Sequence, residues 1–118
     1  MKKTIYLVED DDGIREMLGF VLGPLYNISA FENLHLFSIS LQQSLPDLVI
    51  MDIMLPDGNG DEAGMALQQN EKTKNIPVLF MSANMKFEIS NSLARHSFIS
   101  KPFDIKIFQQ KVKDLIEN

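Results

Sequence analysis

The sequence contains no cysteine, and its apolar residues never form a long continuous run. Without cysteine, the chain has no disulfide, no thiol nucleophile and no cysteine-ligated zinc site. A transmembrane helix needs about 20 consecutive apolar residues, and none occur here. The apolar stretch after Lys2 and Lys3 extends only from Ile5 to Val8, which is too short for a signal peptide. We therefore expect a cytoplasmic protein with no membrane partner.

Basic residues are in the minority: 11 Lys and Arg face 16 Asp and Glu, giving a formal net charge of −5. Because a nucleic-acid surface needs a basic patch, we expect no direct nucleic-acid partner. Four of the acids, Glu9 to Asp12, are consecutive. Such a run is usually a solvated loop, since its like charges repel unless water or a cation screens them.

The chain also has no repeat and no Pro/Gly/Ser-rich linker, so its 118 residues are predicted to form a single domain, residues 1–118. Short apolar runs alternate with segments of helical period. Two of these runs, Leu48–Met51 and Val78–Met81, are uniformly apolar, which is typical of parallel strands covered on both faces. We predict an α/β fold, a doubly wound five-stranded parallel sheet with five helices.

The predicted strands are Thr4–Val8, Tyr26–Phe31, Leu48–Met51, Val78–Met81 and Phe98–Ser100. The first predicted helix follows an Asp11 or Asp12 cap and stops at Gly23-Pro24. The second begins near Leu34 and ends before Pro46. The others are a weak helix over Asp61–Asn70, a short helix carrying Met85, Ile89 and Leu93, and a last helix capped by Asp104. Residues 53–60 are predicted to be a loop.

Polar residues end four of the five predicted strands. Glu9 and Asp10 follow the first strand, Asp52 the third, Ser82 the fourth and Lys101 the fifth. In an open parallel sheet, ligands bind outside the carboxyl ends of the strands, so these groups should meet at one edge. Carboxylates bind Mg²⁺ and can attack phosphorus, while an ammonium and a hydroxyl can hold phosphoryl oxygens.

With these residues in place, the chain resembles the response-regulator receiver domains of two-component signalling. The matching stretches run in family order over nearly the whole chain: Ile5–Asp11, Asp47–Pro56, Gly60, Ile76–Ala83 and Ser100–Phe103. The resemblance implies a flavodoxin-like fold with strand order 2-1-3-4-5. It also implies that Asp52 is the phosphoacceptor. Asp10, Asp52 and the backbone carbonyl of Met54 would ligate Mg²⁺, with Glu9 acting through a water.

The resemblance further assigns the groups that respond to phosphorylation. Ser82 occupies the position of the switch hydroxyl, and Lys101 that of the lysine that contacts the phosphoryl group. Phe98 matches an aromatic position whose side chain often moves inward on activation. A cis peptide is implied between Lys101 and Pro102, which would aim the ammonium at the site.

The implied function is a phosphorylatable switch rather than an enzyme with external turnover. A sensor histidine kinase or a histidine phosphotransfer protein would be the donor, and a downstream protein or a missing effector domain would receive the signal. One alternative is a pseudo-receiver that signals by constitutive contacts, although no acid or lysine is lost. Another is a Mg²⁺-dependent phosphohydrolase, but Met54 stands where that chemistry commonly uses a second aspartate.

One region departs from the family pattern. Ser82 and Lys101 are separated by 19 positions, about three fewer than usual for receivers, so the fourth helix should be shorter by roughly one turn. Ala94–Ser97 replaces the small Gly-Ala segment that commonly precedes the last strand. We therefore transfer no partner-binding surface from the family to this chain.

Overall fold

A computed structural model describes residues 2–83 and 96–117, with only the backbone described for His96. Its strands are β1 (Thr4–Val8), β2 (Asn27–Phe31), β3 (Leu48–Asp52), β4 (Met54–Leu55), β5 (Gly58–Asn59), β6 (Val78–Ser82) and β7 (His96–Ser100). Its helices are α1 (Asp12–Leu22), α2 (Leu34–Gln43), α3 (Gly60–Gln69) and α4 (Ile105–Glu117).

Five strands form one parallel sheet in the order β2-β1-β3-β6-β7. This is the predicted order 2-1-3-4-5, so the fold class is confirmed. β3 and β6 are buried along their whole length, as their uniformly apolar sequences indicate. The central strands β1, β3 and β6 therefore bring their carboxyl ends to the middle of one sheet edge.

The sheet has a separate hydrophobic core on each face. Alternate residues of β1 point to opposite faces: Ile5 and Leu7 enter one core, and Tyr6 and Val8 enter the other. The first core is covered by apolar residues of α1 and α4. The second is covered by those of α2 and α3. This double layer of helices is the predicted doubly wound arrangement.

Two predicted helix caps are confirmed. Ile14 N donates to Asp11 Oδ1 at 2.9 Å at the start of α1. Lys106 N donates to Asp104 Oδ1 at 2.8 Å at the start of α4. Because a carboxylate satisfies amides that have no partner inside the helix, both residues fix where their helices begin.

Several predicted boundaries are wrong. Residues 53–60 are more than a loop, because β4 and β5 pair as a short antiparallel hairpin within them. β7 begins at His96 rather than Phe98, and α3 begins at Gly60 rather than Asp61. The short helix predicted around Met85 and Leu93 lies outside the described residues. Within the described ranges, no helix has the length and apolar character needed to cross a bilayer.

Candidate functional site

The candidate site lies where β1, β3, β6 and β7 end. Hydrogen bonds at these ends fix the backbone just beyond the strands: Ile53 N donates to Met81 O at 3.0 Å, and Lys101 N donates to Ser82 O at 2.8 Å. On the other side of β1, Glu9 N donates to Phe31 O at 3.0 Å. The polar residues that follow the apolar strands are thus held by the sheet itself.

Three carboxylates meet at this edge. One oxygen from each of Glu9, Asp10 and Asp52 lies within 4.8 Å of the other two. Glu9 is fully buried and Asp52 is 6% exposed, while Asp10 faces solvent. Burial of like charges this close together favours a bound cation, and a set of carboxylate oxygens open to water on one side fits Mg²⁺.

Lys101 is the cationic member of the site. Its Nζ lies 2.6 Å from Glu9 Oε1 and 3.2 Å from Asp52 Oδ2. The peptide between Lys101 and Pro102 is cis, as the resemblance implied. Lys101 contacts two of the three carboxylates that the described residues bring together, so these four groups carry excess negative charge when all of them are ionised.

The other predicted site residues, Ser82, Phe98 and Met54, occupy different positions relative to the sheet edge that carries the acids. Ser82, the last residue of β6, is buried. Phe98 lies in the middle of β7, opposite Phe80 of β6, and is packed against the core beneath α2 and α3. Met54 follows Asp52 by two residues in β4, with a largely exposed side chain. The structure thus brings Ser82 to the sheet edge with the acids, whereas Phe98 lies within the sheet.

Loss of water and neighbouring charges shift the pKa values of three residues of the site, Glu9, Asp10 and Lys101. Burial is the largest cause that raises the pKa of Glu9, and its hydrogen bond with Asp52 adds to the effect, together outweighing the attraction of Lys101. Asp10 faces solvent, but the partial loss of water around its carboxyl group raises its pKa, and a hydrogen bond with Glu9 adds to this effect. Burial lowers the pKa of Lys101, but its contacts with Glu9 and Asp52 reverse this and leave that pKa raised.

The shift at Glu9 predicts a pH-dependent stability difference. A raised pKa means that the folded state favours neutral Glu9. The stability that neutral Glu9 contributes is therefore fully present below its ordinary pKa of 4.5 and is lost as pH rises through its pKa in the folded protein. We expect Glu9→Gln, measured without divalent cations, to melt higher than the wild type near pH 8. This gain should vanish near pH 4.

Thermal unfolding across this pH range checks the prediction, with Glu16→Gln on the exposed side of α1 as the control. The control should show no such pH-dependent gain. A Glu9→Gln protein that melts below the wild type near pH 8 contradicts the assigned direction.

The hairpin after Asp52 is held close to the site by Gly60. Gly60 N donates to Ile53 O at 2.6 Å. A Cβ added at Gly60 would lie 1.8 Å from the carbonyl oxygen of Asp52, so only glycine fits this approach. Gly60 was part of the sequence resemblance, but the contact that requires it was not predicted.

One polar contact near the site was missed entirely. Asp57, in the turn of the β4–β5 hairpin, accepts hydrogen bonds from the backbone amides of Leu34 and His35. Asp57 is separated from these partners by more than twenty residues, and no local pattern in the sequence indicates the contact.

Comparisons with known proteins agree with this geometry. A sequence model described as the response regulator receiver domain matches residues 5–113. Histidine kinase P4 of Formosa agariphila is 36% identical over 121 residues, covering 99% of this chain and 9% of that protein. The phosphate regulon transcriptional regulatory protein PhoB of Pseudomonas aeruginosa is 30% identical over 120 residues, covering 97% of this chain and 52% of that protein. The chain therefore spans about half of that regulator and a small part of the kinase.

A solved structure extends the comparison to the fold. The receiver domain of sensor histidine kinase PA1611 from Pseudomonas aeruginosa PAO1 has a magnesium ion coordinated in its active-site cleft. It matches with a TM-score of 0.87 and 21% identity, covering 100% of both chains. At this identity the likeness establishes a common fold.

Proposed function

Because the chain belongs to the response regulator receiver domain family of two-component systems, we propose that it is a switch phosphorylated on Asp52. The donor is the phosphohistidine of a sensor histidine kinase or of a histidine phosphotransfer protein. One observation carries the proposal: the Asp52 carboxylate lies among the acids Glu9 and Asp10 and 3.2 Å from the Lys101 ammonium. Such a set can hold an incoming phosphoryl group as well as accept it.

The acidic cluster is the proposed magnesium site. Asp10, Asp52 and the backbone carbonyl of Met54 would hold the ion, and Glu9 would act through a water. Bound Mg²⁺ neutralises charge that otherwise repels a phosphoryl group from the carboxylates. The magnesium ion of the PA1611 receiver domain supports this assignment.

The transfer itself is a displacement at phosphorus. A carboxylate oxygen of Asp52 forms the new P–O bond while the P–N bond of the phosphohistidine breaks and the imidazole leaves. Lys101, already in hydrogen-bonding contact with Asp52, stabilises the negative charge on the phosphoryl oxygens. Hydrolysis of the resulting acyl phosphate returns Asp52 to its free form.

Ser82 and Phe98 supply the proposed response. The Ser82 hydroxyl, buried at the end of β6, donates a hydrogen bond to a phosphoryl oxygen once Asp52 is modified. This added contact favours one of two conformations of the β6 end and, through it, of Phe98 in the neighbouring strand β7. The favoured conformation regulates a downstream protein or an attached effector domain.

Lys101→Met should change cation binding and phosphoryl transfer in opposite directions. The Lys101 ammonium competes with Mg²⁺ for the oxygens of Glu9 and Asp52. Without it, Mg²⁺ should therefore bind more tightly. The transfer rate should fall about 100-fold, because charge on the phosphoryl oxygens is no longer stabilised. Calorimetric Mg²⁺ titration and a phosphorylation time course measure the two effects.

Lys106→Met, an exposed lysine of α4, is the matched control and should change neither quantity. Weaker Mg²⁺ binding together with an unchanged transfer rate in Lys101→Met contradicts the role given to this residue.

The proposed function is tested by incubating the protein with a small acyl phosphate and measuring its intact mass. We expect one phosphoryl group to be added in the presence of Mg²⁺ and none after chelation. An unchanged mass across donors and Mg²⁺ concentrations favours a pseudo-receiver. Repeated turnover of phosphate esters favours a phosphohydrolase.

A further inference from the structure

The N-terminus of α2 is capped by two side chains from different parts of the chain. Leu36 N donates to Asn33 Oδ1 at 2.9 Å, the ordinary local cap. The two preceding amides turn instead to Asp57: Leu34 N lies 2.9 Å from Oδ1, and His35 N lies 3.0 Å from Oδ2. One carboxylate thus satisfies two helix amides that have no partner inside the helix.

Asp57 stands in the turn of the hairpin that starts next to the candidate phosphoacceptor. Met54 and Asn59 pair in this hairpin, as do Leu55 and Gly58. The chain passes from Asp52 through Ile53 into the hairpin and leaves it at Gly60, which lies against the Asp52 carbonyl. The base of the hairpin is therefore held against the backbone of Asp52, whose carboxylate belongs to the acidic cluster. Its turn contacts α2.

The hairpin and α2 are also in close van der Waals contact. A Cβ added at Gly58 would lie 2.9 Å from Leu34 Cδ1. The hydrogen bonds from Leu34 and His35 hold Asp57 in its charged form, since they lower its pKa. A charged carboxylate at a helix N-terminus also interacts favourably with the helix dipole.

We propose that Asp57 is a positioning residue, which ties the β4–β5 hairpin to α2 and thereby places the Met54 backbone carbonyl for cation binding. The inference rests on the proposed function, in which that carbonyl is a Mg²⁺ ligand. Strands of two residues gain little stability from pairing with each other. The hydrogen bonds from α2 to Asp57 therefore restrict where the hairpin can move.

The hydrogen bonds between Asp57 and α2 also couple the start of α2 to cation binding at the site. If the connection between Asp57 and α2 favours cation binding, cation binding must strengthen that connection by the same factor. The Leu34 and His35 amides, which donate to Asp57, therefore report on Mg²⁺ at the other end of the hairpin. This gives a readout that does not depend on phosphorylation.

The test compares Asp57→Ala with Asn33→Ala. Both variants remove hydrogen-bond acceptors from the α2 N-terminus, but only the first releases the hairpin. We expect Asp57→Ala to weaken Mg²⁺ binding about fivefold in calorimetric titration. Asn33→Ala should lower the melting temperature but leave Mg²⁺ affinity within about twofold of the wild type, since capping losses act on helix stability. Asp57→Asn keeps one acceptor oxygen and should be intermediate.

Hydrogen exchange supplies the second measurement. In the wild type, saturating Mg²⁺ should slow exchange of the Leu34 and His35 amides, and Asp57→Ala should abolish this slowing. If Asp57→Ala binds Mg²⁺ as the wild type does, or if both alanine variants lose affinity equally, the positioning role is wrong while the proposed function stands. If the wild type binds no Mg²⁺, both proposals fail.

Discussion

Asp52→Asn is expected to abolish transfer of a phosphoryl group from an acyl phosphate to this protein. Asparagine keeps the size of the side chain but has no carboxylate to form the acyl phosphate. We expect the variant to remain folded, because the substitution removes the charge of one of three clustered carboxylates and so relieves repulsion in the metal-free protein. Intact mass measures the transfer, and thermal unfolding measures the fold.

Asp12→Asn is the matched control for this substitution. Asp12 belongs to the same acidic run but lies in the first turn of α1, exposed and paired with Arg15. We expect it to be phosphorylated like the wild type, because it lies outside the proposed cluster. An Asp52→Asn protein that still gains a phosphoryl group shows that another side chain is the acceptor.

Of the substitutions proposed for this protein, Gly60→Ala is expected to cause the largest loss of stability. Its Cβ would lie 1.8 Å from the Asp52 carbonyl oxygen and 2.9 Å from Met51 Cγ. Since the first of these contacts is with backbone, relief requires the start of α3 to move away from the end of β3. We expect the free energy of unfolding to fall by about 3 kcal/mol or more, with Mg²⁺ affinity reduced because Asp52 is displaced.

Gly19→Ala tests whether this effect comes from the contact rather than from the type of substitution. Gly19 is inside α1, and a Cβ there would meet nothing within 4 Å. Alanine at this position should stabilise the protein by about 0.5–1 kcal/mol, because it costs less backbone entropy in a helix. Urea unfolding of both variants gives the comparison. Equal and small effects at the two positions contradict the close approach at Gly60.

Much of the fold and of the site's composition could be predicted from the sequence. The uniformly apolar strands β3 and β6 and the acids that follow β1 and β3 are local signals. Parallel strand topology then brings Glu9, Asp10, Asp52 and Lys101 to one edge, because strand ends converge wherever the sheet is parallel. The caps at Asp11 and Asp104 were predictable for the same reason, since their hydrogen bonds join residues two or three apart.

The features that were not predicted have no local signal in the sequence. The hairpin at 54–59 is too short to show an alternating pattern, and Pro56 and Gly58 indicate only a turn. The link between Asp57 and α2 joins residues 22 and 23 positions apart, so neither segment carries a sign of the other. The close approach of Gly60, the first residue of α3, to the Asp52 carbonyl is likewise not marked by any local pattern.

The acceptor can be located directly by chemical trapping. Borohydride reduces an aspartyl phosphate to homoserine, so phosphorylation with an acyl phosphate and Mg²⁺, followed by reduction and peptide mass mapping, marks the modified residue. We predict homoserine at position 52 alone, and no conversion when Mg²⁺ is chelated. Homoserine at Asp10, Asp57 or any other acid, with Asp52 unmodified, would contradict the central claim.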